Sequence, residues 1–250
     1  MTLPLPQLGS DPRAPFPPVE EALAQPDGLL AFGGDLSPER FLNAYANGIF
    51  PWYSDGEPIL WWSPSQRAVF PTDGVRLPSR LRRRLRNSGW TVRADTAFDR
   101  VVAGCAAPRA GQSGTWITAA MRTAYAQLHA LGIAHSIEVY DGDALVGGLF
   151  GLSFGALFCG DSMYSERSGA SSLALAALAT RLRGWGWPII DAQVPNAHTR
   201  RLGVETWPRE DYIAAVRRLR ERPWQPGNWR ERFGVVDAAE ACALPAGEPD

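Results

Sequence analysis

The chain has 250 residues, 45% of them hydrophobic and 20% charged, with a formal net charge of −1 at pH 7; this composition is typical of a globular protein and argues against one coated in positive charge. It contains no run of about 18 apolar residues, so the sequence predicts no membrane-spanning helix. Its N-terminus lacks the basic start and the following apolar segment of a secretory signal, so none is predicted. Its three cysteines are too widely spaced for a disulfide framework or a metal site, so we expect a cytoplasmic protein with reduced thiols.

Residues 1–64 predict a small N-terminal domain. Six prolines among the first 18 residues oppose regular structure up to about residue 27. The stretch that follows predicts a helix, because Ser37 can cap its start, Pro38 fits its first turn and Gly48 can end it. From Ile49 to Phe70 the chain is aromatic and rich in turn residues, which indicates short strands and loops.

Residues 65–236 predict a second, larger domain that begins with helices. The segment "PSRLRRRLRNSG" predicts a short basic helix, with Ser79 as its cap and two leucines, four residues apart, on a buried edge. Two further helices are predicted, one ending near Ala106 and one ending at the stop signal Gly132.

The apolar period then changes to two. Three segments, "HSIEVYD", "ALVGGLFGL" and "FGALFCGDSM", predict antiparallel strands joined by tight turns. A helix from about Gly169 to Arg183, a strand over "WPIIDAQV" and further helices follow. This order predicts an α/β fold with a mixed sheet and matches the N-acetyltransferase (GNAT) fold, in which acyl donors enter where two central strands splay apart. Residues 237–250 are acidic and rich in Ala, Pro and Gly, and are expected to be disordered.

One segment concentrates polar residues at the end of a predicted buried strand: "IIDAQVPNAHTRRLG", from Ile189 to Gly203. Side chains alternate along a strand, so Asp191 and Gln193 are expected on the same face, about 6.5 to 7 Å apart. The carboxylate could accept a hydrogen bond from the Gln193 amide and leave the amide oxygen to hold an amine nucleophile. Alternatively, both side chains only satisfy backbone groups at the strand end. The residues alone leave both interpretations open.

The remaining polar candidates favour neither covalent nor metal catalysis. His198 follows a predicted helix start, which favours a structural or surface role, and no serine elbow or metal-ligand spacing is present. In "FCGDSMYSERSGAS" the glycine-rich pyrophosphate loop of acetyl-CoA enzymes is degraded at both ends, which argues against CoA. Asp161, in the same segment, is either a carboxylate of the site or a turn residue.

Two larger sets of residues have both a structural and a functional interpretation. An apolar set recurs at ordinary core spacing along one helix and its neighbouring strands. Its members are Leu149, Met163, Leu175, Leu178, Leu182 and Ile190. The basic helix either forms a solvated face or contacts phosphates, and contact is favoured because like charges within two turns repel one another. Its arginines are Arg80, Arg82, Arg83, Arg84 and Arg86.

Five separated motifs occur in one order: "GLLAFGGDLSPERFLNAYANGIFPWY", "ILWWSPSQRAVF", "GTWIT", "FCGDSMYS" and "IIDAQVPNAHTRRLG". In order and spacing they resemble those of the bacterial leucyl/phenylalanyl-tRNA–protein transferase family. The resemblance implies a GNAT-like catalytic domain that moves Leu or Phe, less often Met, from aminoacyl-tRNA to the α-amino group of proteins with N-terminal Arg or Lys. Such proteins are then degraded by the N-end rule pathway. Because aminolysis of an ester is downhill, the reaction implies no cofactor and no metal.

The resemblance also assigns roles to residues. Asp191 and Gln193 match the proposed catalytic pair, with Gln193 accepting from the attacking amine and Asp191 polarising it, although a tRNA 2′-hydroxyl is the alternative proton acceptor. Asn196 matches a residue beside the pair. The apolar set matches the pocket for the transferred side chain, and the basic helix matches a region that holds the tRNA acceptor stem. Positions around the tRNA 3′ end are matched by Tyr45, Trp52, Trp116, Tyr125 and Phe158.

The chain departs from the family at several positions: Tyr164 stands where the family often has Phe, and several pocket positions that are Met or Phe elsewhere are Leu here. The family often has Glu in place of Asp161, and if this acid holds the basic N-terminus of the acceptor, the shorter side chain changes its reach.

The protein is expected to act as a monomer without membrane contact. Two other functions stay open on the residues: an acetyl-CoA-dependent N-acetyltransferase, which would bind CoA tightly, and an RNA-binding module, which would bind tRNA whether or not it is charged.

Overall fold

The computed structural model describes residues 5–108 and 114–243, which form two β-sheets with flanking helices. The strands of these ranges are β1 (Gln7–Leu8), β2 (Leu29–Gly33), β3 (Phe50–Pro51), β4 (Leu60–Trp62), β5 (Gln66–Pro71), β6 (Thr91–Ala94), β7 (Ala134–Asp141), β8 (Ala144–Phe154), β9 (Leu157–Ser165), β10 (Ile189–Gln193), β11 (Glu205–Pro208) and β12 (Val236–Asp237). The α-helices are α1 (Pro38–Tyr45), α2 (Ser79–Arg86), α3 (Phe98–Ala106), α4 (Ala119–Ala130), α5 (Ala170–Gly184), α6 (Ala197–Arg201), α7 (Arg209–Arg220), α8 (Arg230–Phe233) and α9 (Ala238–Ala241). No helix within these ranges combines the length and apolar character that crossing a bilayer would require.

The N-terminal sheet has the order β1-β2-β4-β3 in the described part of the chain. Helix α1 begins as the sequence predicts, since the Ser37 hydroxyl accepts a hydrogen bond from the backbone amide of Arg40. Phe41 of α1 packs edge-on against Trp61 of β4 and stacks with Tyr45. The sheet therefore fixes α1, with Tyr45 at its C-terminal end.

The second sheet, within the same described residues, has the order β11-β5-β10-β9-β8-β7-β6-β12. Strands β9 and β10 are parallel, and the other neighbouring strands are antiparallel. A parallel pair needs a crossover connection, and α5 supplies it. The α/β class with a mixed sheet is therefore confirmed, and β9 and β10 lie side by side at its centre.

Both central strands carry a β-bulge. The register between β8 and β9 skips Asp161, and the register between β5 and β10 skips Ala192. Bulges redirect the side chains around them and are common beside active sites. At the first bulge a Cβ on Gly151 of β8 would lie 1.9 Å from the Cys159 carbonyl oxygen, so this close approach of the two strands requires glycine.

Helix α5 covers the second sheet and forms much of the core. It contacts β7, β8 and β9, and its residues from Ala170 to Ala179 are buried together with Leu182. Helix α3 also packs on β7, β8 and β9. Helix α2 buries Leu85 and half-buries Leu81, as the spacing of its leucines predicts.

Two sequence-based expectations are wrong, and short strands are missed. The sequence predicts a disordered tail from residue 237, but residues 237–243 are ordered. Strand β12 pairs with β6, and the small residues of α9 pack against α5 and α2. Residues 244–250 lie outside the described residues. Ser79 does not cap α2, since it is the first helical residue and Pro78 precedes it without a side-chain cap. Strands β6 and β11 were not expected, because each has four residues with too little alternation to stand out.

Candidate active site

The Asp191 carboxylate is the centre of a buried polar network. Arg67 of β5 donates from Nε to Oδ1 at 2.8 Å and from Nη2 to Oδ2 at 2.7 Å, and Tyr212 of α7 donates to Oδ2 at 2.9 Å. The backbone amide of Gln193 donates to Oδ1 at 2.8 Å. The side chains of Asp191 and Arg67 are 0% and 2% exposed, so the two charges compensate each other away from water.

Two aromatic rings pack against the Arg67 guanidinium. The ring centroids of Phe50 and Tyr212 lie 4.7 and 4.6 Å from its central carbon, and Nη1 donates to the Gly48 carbonyl at 3.3 Å. Burial opposes the charge, but the adjacent Asp191 carboxylate raises the pKa of Arg67 above its usual value. Since Gly48 and Phe50 precede the second sheet and Tyr212 follows β10, the network ties the N-terminal part of the chain to the second sheet.

Asp191 holds the backbone of Gln193 and not its side chain, so the expected pairing of the two side chains is wrong. The Gln193 amide Nε2 donates to Asp161 Oδ1 at 2.6 Å instead. The bulge at Ala192 explains the difference, because Gln193 adopts φ of 59° and the regular alternation of side chains breaks there. A non-glycine residue in this conformation is uncommon and is often found at functional sites.

Asp161 gathers side chains from three other elements. Its Oδ1 accepts from the Tyr45 hydroxyl at 2.7 Å and from Gln193, and the Tyr45 hydroxyl lies 3.4 Å from that of Tyr125 on α4. Oδ2 is buried without a hydrogen-bond partner among the described residues. Burial raises the pKa of Asp161 to about 7; the tyrosine hydroxyls lower it and the Asp191 charge raises it further. This carboxyl therefore titrates near neutrality.

A cavity of about 240 Å³ lies beside Asp161 and Asp191. Five members of the predicted apolar set line it, namely Leu149, Met163, Leu175, Leu178 and Ile190. Leu182 is not among the lining residues; it is buried one turn beyond Leu178 on α5. Asp161, Ser162, Asn196 and Thr199 line the polar side. The cavity can therefore take an apolar side chain while its polar end lies at the two carboxylates.

The five aromatic residues predicted at the tRNA 3′ end fall into three environments. Trp116 and Phe158 line the cavity. Tyr45 and Tyr125 are buried with rings packed against Phe41, so their contribution to the site is their hydroxyl groups next to Asp161. Trp52 is 51% exposed, and its ring is accessible for stacking.

The five arginines of α2 form a surface patch, with Arg82 half-buried and the others exposed. Arg84 donates to the carbonyl and hydroxyl oxygens of Ser168 at 2.9 and 3.1 Å, which ties α2 to the loop before α5. None of the five forms an ion pair with an acid among the described residues. Uncompensated arginines on one helix suit contact with phosphate groups.

Asn196 caps the start of helix α6. Its Oδ1 accepts from the backbone amides of His198 and Thr199, both at 2.9 Å. Asn196 also lines the cavity. His198 is half-buried and is not among the lining residues; burial and the nearby Arg201 lower its pKa. The structural role expected for His198 agrees with this position.

His135 belongs to a second buried network that the sequence did not suggest. Its Nδ1 lies 2.9 Å from Asp95 and its Nε2 lies 3.1 Å from the Ser153 hydroxyl, while Trp229 stacks on its ring at 3.9 Å. All three polar side chains are buried, so no substrate reaches this serine. Within the described residues, no group of three or more His, Cys, Asp and Glu side chains could hold a metal.

Sequence reasoning missed Arg67 and Tyr212, although a signal for each was present. Arg67 precedes the apolar run "AVF" in a short strand, and a charge inside a buried strand requires a partner. Tyr212 lies on the face of α7 that also buries Ile213 and Val216. The pairing of both with Asp191 could not be derived, because it depends on contacts 124 and 21 residues apart in the chain.

Comparison with known proteins shows the family to which the chain belongs. The sequence model of the leucyl/phenylalanyl-tRNA protein transferases matches residues 69–217, and that of their N-terminal domain matches residues 34–65. Leucyl/phenylalanyl-tRNA–protein transferases from Xanthomonas euvesicatoria and Xanthomonas oryzae are 61% and 60% identical over 94% of this chain and 94% of theirs. A GCN5-related N-acetyltransferase-like protein from Streptococcus suis is a weak structural match, with 14% identity, a TM-score of 0.30 and coverage of 66% of this chain and 62% of its own. The chain belongs, by its sequence, to the leucyl/phenylalanyl-tRNA–protein transferase family of aminoacyltransferases.

Proposed function

We propose that the protein transfers Leu or Phe, and less often Met, from aminoacyl-tRNA to the α-amino group of proteins that begin with Arg or Lys, marking them for the N-end rule pathway. The observation that carries the proposal is a cavity with apolar walls that also borders Asp161, the carboxyl group that accepts a hydrogen bond from the Gln193 side chain. The protein would act as a cytoplasmic monomer and use no cofactor.

The apolar wall supports Leu or Phe as the transferred residue. Burying a charged side chain against Leu149, Leu175 and Leu178 would cost far more than burying an apolar one. Steric fit against these walls would disfavour β-branched side chains. A difference of one methylene is worth only about 1 to 3 kcal/mol, so Leu, Phe and Met would be separated by degree.

The polar end of the cavity suits aminolysis of the aminoacyl ester. An α-amino group has a pKa of about 7.7 to 8, so part of it is neutral at cytoplasmic pH and the enzyme mainly has to align it with the carbonyl. The Gln193 NH₂ donates to Asp161, which orients the amide so that its oxygen can accept from the amine. Arg67 and Tyr212 hold Asp191, and Asp191 in turn holds the Gln193 backbone. Asp191 would therefore act by fixing the bulge.

The exposed patch on α2 supports tRNA as the donor. Each arginine that neutralises a phosphate releases bound counterions, so affinity should fall steeply with salt. Arg84 already connects this helix to the loop between β9 and α5. Strand β9, which precedes that loop, carries Asp161. Phosphate contacts on α2 would thus be connected to the cavity through a short stretch of chain, with Trp52 and Trp116 as stacking surfaces for the 3′ end.

The geometry at the start of α5 does not favour acetyl-CoA as the donor. An acetyl-CoA site needs free backbone amides at this helix N-terminus to hold a pyrophosphate. Here the Ser171 amide donates to the Ser165 hydroxyl at 2.9 Å, and the Ala170 amide donates to the Arg167 carbonyl at 3.1 Å. A tight complex with CoA would nevertheless favour this alternative over aminoacyl-tRNA.

The test uses tRNA charged with labelled leucine and two acceptor proteins that differ only in their first residue, Arg or Glu. The proposal predicts label on the Arg protein alone. Label on both would contradict the acceptor specificity, and label on neither would contradict the transfer itself. tRNA binding that ignores the aminoacyl group, without transfer, would instead support an RNA-binding module.

A further inference from the structure

The two oxygens of the Asp161 carboxylate have different surroundings. Oδ1 accepts from the Tyr45 hydroxyl at 2.7 Å and from the Gln193 amide at 2.6 Å. Oδ2 is buried and has no hydrogen-bond partner among the described residues. Buried polar atoms are almost always partnered, so an exception at a cavity marks a place where a donor from a ligand is expected.

We propose that Asp161 is the general base of the reaction, with Oδ2 taking a proton from the α-amino group of the acceptor as it attacks the aminoacyl ester. The inference rests on the proposed transfer reaction and gives Asp161 the role that the family resemblance gives to Gln193. Gln193 then orients the carboxylate and the amine, and it exchanges no proton.

The step balances without a further reactant. The nitrogen lone pair forms the new bond to the ester carbonyl carbon, and one N–H proton passes to Oδ2. The bond between that carbon and the ribose oxygen of the tRNA then breaks. The same proton returns from Oδ2 to the departing ribose oxygen, so Asp161 is ionised again at the end of the step.

Among the residues that line the cavity, Asp161 and Asp191 are the two with carboxyl groups. Both oxygens of Asp191 already accept hydrogen bonds, from the Arg67 side chain, the Tyr212 hydroxyl and the backbone amide of Gln193. An uncharged amide such as that of Gln193 has no useful basicity at neutral pH. The bulge that skips Asp161 in the register of β8 and β9 also places an extra residue in β9 at this point.

The protonation equilibrium of Asp161 supports this role. Burial raises its pKa to about 7, while the hydroxyls of Tyr45 on α1 and Tyr125 on α4 lower it, the Asp191 charge on β10 raises it and the Gln193 amide lowers it. The proton that Asp161 takes is the one that the attacking nitrogen must lose as the amide forms. A carboxylate whose pKa lies near neutrality is a stronger base than an ordinary carboxylate, which favours general-base catalysis. The base is ionised above its pKa, so the rate should rise through about pH 7 and then level off.

The test measures single-turnover transfer of leucine from leucyl-tRNA to an acceptor with N-terminal Arg, as a function of pH. The rates are divided by the fraction of neutral α-amine, which is titrated separately. Asp161→Asn keeps an oxygen for Tyr45 and Gln193 but cannot take a proton. Tyr45→Phe removes a hydrogen bond that favours the ionised carboxylate. Tyr53→Phe removes a buried hydroxyl that pairs with Thr118 instead, and serves as the matched control.

We expect Asp161→Asn to lower the rate by about 10² to 10⁴-fold and to remove the rise near pH 7. Tyr45→Phe should move that rise upward by about 1 to 2 pH units, and Tyr53→Phe should leave it in place. A full rate in Asp161→Asn, or an unchanged profile in a folded Tyr45→Phe variant, would overturn the assignment while leaving the transfer reaction intact. No transfer by the unchanged protein would overturn both proposals.

Discussion

Replacing Arg67 by Met should destabilise the protein far more than removing an ion pair on its surface. The change leaves the Asp191 carboxylate buried at 0% exposure with two of its four hydrogen bonds lost. Breaking a buried pair from one side typically costs about 3 to 5 kcal/mol, because the remaining charge stays buried. For a chain of this size, that loss corresponds to a fall in Tm of about 6 to 20 °C.

Thermal unfolding and urea titration measure the change, with Arg167→Met as the matched control. Arg167 pairs with Asp141 at the surface, where the two side chains are 53% and 38% exposed, so the control should lose at most about 1 kcal/mol. Adding Asp191→Leu to Arg67→Met should recover part of the stability, since no unpaired charge then remains. Equal stability of the Arg67 and Arg167 variants would refute the view that Arg67 and Asp191 form a buried ion pair whose charges depend on each other.

Three further predictions concern transfer. Gln193→Ala and Asp191→Ala should each reduce the transfer rate strongly and leave tRNA affinity, measured by filter binding, unchanged. Normal transfer rates in both variants would contradict a catalytic role for the bulge that carries these two residues. Leu178→Ala enlarges the cavity and should raise the ratio of Phe to Leu transfer at a stability cost of about 2 to 5 kcal/mol, whereas an unchanged ratio would show that Leu178 does not contact the transferred side chain. Arg80→Glu with Arg83→Glu should weaken tRNA binding and reduce its dependence on salt, and an unchanged salt slope would place the tRNA elsewhere.

Local signals in the sequence account for much of the fold. Ser37 and Pro38 start α1 where predicted, and the tight turn after Phe154 joins the long strands β8 and β9. Caps and turns act within a few residues, so they can be read locally. Strands β6 and β11 are not predicted, because four residues show little periodicity. Helix α9 is not predicted either, because its small residues resemble a flexible tail, and only their packing against α5 and α2 orders them.

The site was predicted as a set of residues but not as a set of contacts. Asp161 and Asp191 line the cavity and Gln193 bonds to both, yet the predicted hydrogen bond between the Asp191 and Gln193 side chains does not form. A bulge adds one residue and reverses the alternation on which that prediction depended. The register shift at Ala192 follows from the pairing of β10 with β5, which lies about 120 residues earlier in the chain, and no local pattern records it.

The most direct test of the account compares two donors whose side chains contain the same atoms. The protein is mixed with leucyl-tRNA or isoleucyl-tRNA and an acceptor with N-terminal Arg, and the N-terminal residue of the product is identified by mass spectrometry. The proposed steric fit against the cavity walls disfavours branching at Cβ, so the account predicts that Leu is added and Ile is not. Equal addition of both residues would contradict selection by the cavity, and addition of neither would contradict transfer at this site.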